Sequence, residues 1–274
     1  MGRTVFGSVC KVMLTLVTIF TGGHAASDTL RIGGTGVALG GMIILAEAYE
    51  AGHPGTVIEV LPSLGSGGGI KAVVAQAIDL GLSARPLKES EISAGALEEE
   101  YASTPLAFVT SLDNDVVGIT TKELAAIFSG TTTHWPSGKP IRLVMRPASE
   151  SATKVLRSLS VDMERAIDDA MARPGLVSAI TDQENAETLE RLSGSFGLVA
   201  IGQFSAEKRR LRVLELDGVA PSVSASDNPE DPFLKTLRLI STKTASPLAV
   251  SFRDFVFSDE GKAILLAYDF RPAK

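Results

Sequence analysis

Apolar and polar positions alternate between two periods along this chain. Short runs at residues 30–32, 57–61, 79–83 and 106–110 read as strands. Between them, Met42, Leu45, Ala46 and Tyr49, and then Ile70, Val73, Val74 and Ala77, recur at helical spacing. Residues 88–103 are polar and predict one irregular helix with loops, and 122–128 a short helix. A second unit opens with a strand at 141–145 and helices over 151–159 and 161–171, the latter ending near Arg173-Pro174-Gly175. Thr181 and Glu184 have capping-box spacing for a helix to Leu192. Strands follow at 196–201 and 211–216, and the Ser-, Asp- and Pro-rich stretch 221–232 reads as a long loop. Phe252, Phe255 and Val256, then Ala263, Ile264 and Ala267, stripe two closing helices. Strand–helix alternation of this kind predicts an α/β fold with a largely parallel sheet.

The first 25 residues stand apart from that pattern. Arg3 and Lys11 flank a short apolar stretch over 12–20, and Gly23-His24-Ala25 places small residues where a leader is cleaved before Ala26. The stretch is short of the roughly 20 residues a membrane-spanning helix needs, so it reads as a secretory signal peptide. The mature product is expected to be soluble, outside the cytoplasm. Cys10, the single cysteine of the chain, leaves with the leader, so no disulfide or thiol chemistry is expected. Losing Arg3 and Lys11 takes the formal charge from −6 to −8. An acidic chain is a poor partner for nucleic acid or anionic membrane.

Three runs of small residues join a strand to a helix: Gly33 to Gly36, Gly65 to Gly69, and Arg146 to Thr153. A helix N-terminus presents free backbone N–H groups and a positive dipole end, which is an anion site. Gly34, Thr35 and Gly36 would supply one such end, and Ser66, Gly67 and Gly68 a second. Ser83 ends a third strand of the same half. Arg146 would bring a planar, permanently charged fork, while Ser149, Ser151 and Thr153 would cap the following helix and turn oxygens to the cleft. For one loop alone, caps and tight turns explain the residues better; three loops behind a leader reverse the balance toward a small oxyanion. Arg85 either points into the cleft or makes an ion pair within its own lobe, and Lys208-Arg209-Arg210 reads as a solvated face.

Enzyme signatures are poor by comparison. Only His53 and His134 remain beyond the leader, too few for a His/Cys metal cluster, and neither sits in a ligand-like spacing. Ser66 lacks the glycine at position 64 that a nucleophile elbow requires. Gly34-Thr35-Gly36 begins a dinucleotide fingerprint, but Leu39 stands where the third glycine belongs. No catalysis, cofactor or metal is expected.

The order of motifs resembles the periplasmic phosphate-binding proteins of ABC transporters. Gly-Gly-Thr-Gly, Gly-Ser-Gly-Gly-Gly-Ile, Asp-Leu-Gly-Leu-Ser-Ala-Arg-Pro-Leu, Leu-Ala-Ala-Ile-Phe-Ser-Gly with Trp135-Pro136, and Gly-Leu-Val-Ala-Ile-Gly occur in sequence between residues 29 and 270. The resemblance implies a two-lobed type II fold with a ligand cleft between hinged lobes. One lobe would hold 26–107 and 217–274, the other 108–216. It implies a monomer that captures an inorganic oxyanion, phosphate first, and engages a membrane permease or a sensor protein. Other oxyanions or phosphonates remain open. Two positions depart from the family pattern. Ala84 stands where an aspartate is usual, and Glu150 enters the arginine loop, where it is expected to face solvent.

Overall fold

The computed structural model describes residues 1–2, 28–222 and 231–273. The expected leader from residue 3 onward, with Cys10, and most of the 221–232 loop lie outside the described residues. Strand β1 (Asp28–Gly34) leads into helix α1 (Gly36–Gly52), β2 (Thr56–Val60) into α2 (Gly65–Val74), and β3 (Leu80–Ser83) into the short α3 (Glu89–Ser93). The long β4 (Ala96–Ser111) is followed by β5 (Gly118–Ile119), α4 (Thr121–Ser129), β6 (Arg142–Met145), α5 (Ser151–Ser158) and α6 (Val161–Ala172). Then come β7 (Val177–Ser178), α7 (Asp182–Arg191), β8 (Ser195–Ala200), α8 (Ile201–Ala206), β9 (Leu211–Val213) and β10 (Glu215–Leu216). The chain closes with β11 (Leu234–Thr242), α9 (Pro247–Phe257), α10 (Asp259–Ala267) and β12 (Arg271–Pro272).

The main sheet runs β2-β1-β3-β11-β4-β8-β6-β7, with β9 and β12 also on β4. Its beginning (β2, β1, β3) and its end (β8, β6, β7) are parallel, as the alternation predicts, but β11 and β4 run antiparallel to their neighbours. The sheet is therefore mixed. One strand serves both ends: β4 pairs with β11 up to Pro105 and with β8 from Leu106 onward. Phe108, just past that handover, stacks on Phe196 and meets Phe233 edge-on, with ring centroids 5.7 and 5.9 Å apart.

Helices cover both faces. Leu45, Met42 and Tyr49 of α1 pack into the main core with Leu30, Ile32 and Leu82. On the other face Ile70 and Val73 of α2 meet Ile78, Ala96 and Ile240. Backbones crowd β1 on two sides: a Cβ on Gly34 would fall 2.0 Å from the carbonyl oxygen of Leu82 in β3, at φ +155°, and one on Gly69 of α2 2.7 Å from the Gly34 Cα. Glycine is required at both points.

Several expectations are corrected. Residues 96–103 are not helix but the first half of β4. Their glutamates suggest a solvated helix, yet Glu98 and Glu100 pair with Arg238 of β11 and Glu99 with Arg253 of α9, while Tyr101 is buried. Strand β11 itself falls where no element is expected. The span expected as one strand at 211–216 breaks into β9 and β10, which pair with β4 and β5 respectively. Arg209 is no solvated residue; it lies 14% exposed against Glu207, Glu190 and Glu187.

Candidate functional site

The helices α1, α2 and α5 begin at the carboxyl ends of β1, β2 and β6. First-turn N–H groups have no intrahelical acceptor, so each start is a cluster of free donors. Thr35 occupies the N-cap of α1 and is 5% exposed, yet its hydroxyl makes no capping bond. Its backbone N–H is tied to the Leu82 carbonyl at 2.9 Å, which fixes the loop against β3. Helix α2 starts at Gly65 itself, earlier than the glycine run suggests, so Ser66, Gly67 and Gly68 form its first turn. The Ser66 hydroxyl oxygen accepts the Ala84 N–H at 2.9 Å. A hydroxyl that accepts in this way still has its own proton to donate.

Other expected groups are committed within the protein. The Ser83 hydroxyl donates to the Arg85 carbonyl at 2.6 Å. Arg85 makes an ion pair: its guanidinium grips Glu91 through both ends, at 2.8 and 2.7 Å. That fork holds the Glu91 carboxyl down at about 2, against its ordinary value of 4.5, despite the burial that opposes it. Arg85 still backs α2, with one guanidinium nitrogen 3.8 Å from where a Gly67 Cβ would sit.

On the other side of the cleft, Arg146 follows β6 and is 7% exposed. Its Nη1 donates to the Ala179 carbonyl at 3.0 Å, and the buried Thr153 hydroxyl donates to the Arg146 carbonyl at 3.0 Å. Thr153 thus holds the arginine's backbone, a role different from the cleft-facing oxygen expected of it. The expected Ser/Thr cap of α5 is also corrected: its N-cap is Glu150, with no side-chain cap bond, while Ser149 is exposed and Ser151 half-buried. Glu150 does not face solvent alone. Its carboxylate meets Arg146 Nη2 at 3.3 Å, because the turn 146–150 folds it back over the guanidinium.

Two site residues escaped the sequence reading. Asp182, the first residue of α7, lies 3.5 Å from Arg146 Nη2. Its neighbour Gln183 donates to the Gly36 carbonyl at 2.9 Å, so α7 from one side meets α1 from the other. A Cβ on Gly36 would fall 2.7 Å from Asp182 Oδ2. An acid in a helix's first turn ordinarily just complements the dipole, which is why Asp182 gives no signal. Lys235 of β11 is 8% exposed, and burial pushes its ammonium down; Asp182, Arg146 and Glu150 are the charges it senses. Its one sequence signal is phase: it alternates in step with Leu237 on the buried face of β11.

The resulting centre is small and ionic. Arg146 and Lys235 oppose Asp182 and Glu150, beside the free donors of α1. No group of three or more potential metal ligands occurs among the described residues.

The chain belongs to the PBP superfamily domain family, whose model matches residues 21–260. It is 24% identical over 212 residues to the phosphate-binding protein PstS of Borreliella burgdorferi, covering 73% of this chain and 75% of that one. Among solved structures, a Clostridium perfringens substrate-binding protein with bound phosphate shares the fold at TM-score 0.73 and 21% identity, covering 90% of this chain and 100% of that one. An ABC-type phosphate transport receptor from Vibrio cholerae does so at TM-score 0.59 and 22% identity, covering 89% and 99%. The fold is thus the two-lobed α/β fold of periplasmic binding proteins.

Proposed function

We propose that this chain is the substrate-binding protein of an ABC transporter and captures inorganic phosphate in the periplasm. The observation that carries the reading is Arg146, a buried guanidinium at the carboxyl end of β6. Through Asp182 it confronts the N-terminus of α1. Such a fork opposite free helix N–H groups is suited to an oxyanion's oxygens. The names of the relatives supply the choice of phosphate. In this reading the backbone of Gly34, Thr35 and Gly36, the first turn of α2 with Ser66, Gly67 and Gly68, Arg146 and the start of α5 at Ser151 surround the anion. Ser83, Arg85 and Thr153 brace those groups.

The lobes would comprise 26–107 with 217–274, and 108–216. The partner change along β4, and the bond from Leu214 N–H to the Phe108 carbonyl at 2.9 Å, support a crossing there. Closure of the lobes would then present the loaded protein, a monomer, to a membrane permease, or to a sensor protein in place of it. The protein would perform capture and release, with no bond made or broken.

Glu150 on Arg146 favours one second reading, a phosphonate bearing an amino group, whose cation would meet that carboxylate. Thermal unfolding of the mature protein against phosphate, sulfate and an aminoalkylphosphonate separates them. A ligand at a hundred times its Kd adds about 2.7 kcal/mol, or roughly 5–10 °C for a chain this size. Phosphate should give that shift, and Arg146→Ala should abolish it. No shift with phosphate, or a shift that survives Arg146→Ala, overturns the reading.

A further inference from the structure

We propose that Lys235 is a ligand-binding residue of the cleft, its ammonium contacting the same oxyanion that Arg146 holds. This inference rests on the phosphate reading above and names a contact that reading does not contain.

Lys235 is placed by register. Arg238 of β11 pairs with Ser83, the last residue of β3, and the strands are antiparallel. Lys235 therefore lies three residues beyond the carboxyl end of β3, at the edge where the loops after β1 and β3 gather. Its partner on β4 is Thr104, which is itself fully buried and bonded to Asp269 and Gly202. The backbone at this point is held by β4. The side chain, only 8% exposed, shares the buried face with Leu237.

A buried ammonium with three donors normally has them satisfied, because an unpaired charge in a low-dielectric place is costly. The Lys235 ammonium makes no hydrogen bond and no ion pair among the described residues. The carboxylates within its electrostatic reach, Asp182 and Glu150, both contact Arg146 instead. Arginine thus takes both acids at contact distance and lysine takes neither. An anion would complete the coordination of this largely buried, unbonded ammonium. That anion must be small, since α1 and α7 already touch through Gln183 and Gly36. It must also carry enough negative charge to engage two cations. A dianionic tetrahedral oxyanion satisfies both conditions, and its arrival would let Asp182 withdraw from Arg146.

Calorimetric titration of the mature protein with inorganic phosphate, and separately with sulfate, tests the contact in wild type, Lys235→Met, Lys235→Arg and Arg146→Ala. Methionine keeps the length and packs the apolar wall, so the ligand-free protein should unfold at the wild-type temperature or above it. Phosphate affinity should fall at least about thirtyfold, the usual scale for truncating one partner of a buried charge pair. Lys235→Arg should recover part of it. If Lys235→Met binds phosphate like wild type while Arg146→Ala does not, Lys235 makes no contact and only this inference fails. If Lys235→Met unfolds early, Lys235→Gln serves; affinity retained by that variant likewise overturns the contact. Wild type silent toward both anions would remove the phosphate reading, and this inference with it.

Discussion

Helix α7 meets α1 at Gly36, and replacement of this glycine by alanine has a calculable cost. A Cβ there would lie 2.6 Å from Gln183 Oε1, 2.7 Å from Asp182 Oδ2 and 2.9 Å from Asp182 Cβ. The two oxygens end flexible side chains and can swing aside. Asp182 Cβ cannot move unless α7 retreats. Overpacking of this kind costs about 1–3 kcal/mol, and losing the Gln183–Gly36 bond about 1 kcal/mol more. Alanine returns up to about 1 kcal/mol through its helix propensity. The net penalty, about 1–3 kcal/mol, falls on any state in which α1 and α7 touch. If phosphate binds that state, Gly36→Ala weakens binding roughly 5- to 150-fold. Calorimetry on Gly36→Ala gives the loss directly. Repeating it in an Asp182→Gly/Gln183→Ala background removes the opposing atoms, and the penalty there should drop below about 0.5 kcal/mol. Undiminished affinity in the single variant would refute the reasoning. An equal loss in both backgrounds would do so as well, because the added methyl would then collide with the anion and not with α7.

Two further expectations concern the bracing groups. Thr153→Val deletes the buried bond to the Arg146 carbonyl, so stability should fall by about 1–3 kcal/mol in denaturant titration, while phosphate affinity changes less than tenfold. A hundredfold affinity loss at unchanged stability would put the hydroxyl on the ligand. Glu91→Gln should cost about 1 kcal/mol at neutral pH, after allowance for solvent near the Arg85–Glu91 fork. Because the fork depresses the Glu91 pKa to about 2, its contribution is complete above the ordinary carboxylate value and disappears as pH falls toward 2. Unfolding curves of the two proteins should therefore converge in acid; a gap that persists at pH about 2 would exclude this ion pair as its source.

What could be read from the sequence was what local pattern determines. The series β1-α1-β2-α2-β3 is legible because a strand of alternating residues, a glycine turn and a 3.6-period stripe each leave a signature over a few positions. The same holds for Thr181, whose hydroxyl accepts the Glu184 N–H at 3.1 Å. Residues 96–103 were illegible because three successive glutamates pair with Arg238 and Arg253, well over a hundred positions later. Strand β11 hid for the matching reason: Arg238 looks like a surface residue until those glutamates are in place. In the candidate site, the glycine loops and Arg146 could be singled out by residue type. The direction of Glu150, the pairing of Arg85 and the nearness of Asp182 and Lys235 depend on how distant segments pack, which no spacing along the chain encodes.

The insertion of β11 between β3 and β4 also sets an order of events during synthesis. The first half of the sheet is built from residues that emerge early, yet its central strand is supplied by residues 234–242. Until those residues arrive, β3 and the first part of β4 each present an unpaired edge, and such edges recruit other chains. The nascent polypeptide must therefore remain without its completed sheet until nearly all of it has been made. The long separations across this pairing also make folding slow in comparison with a locally wired protein of equal size. A chain cut short before residue 234 would retain α1, α2 and every glycine loop, and would still lack the strand that joins them to the rest.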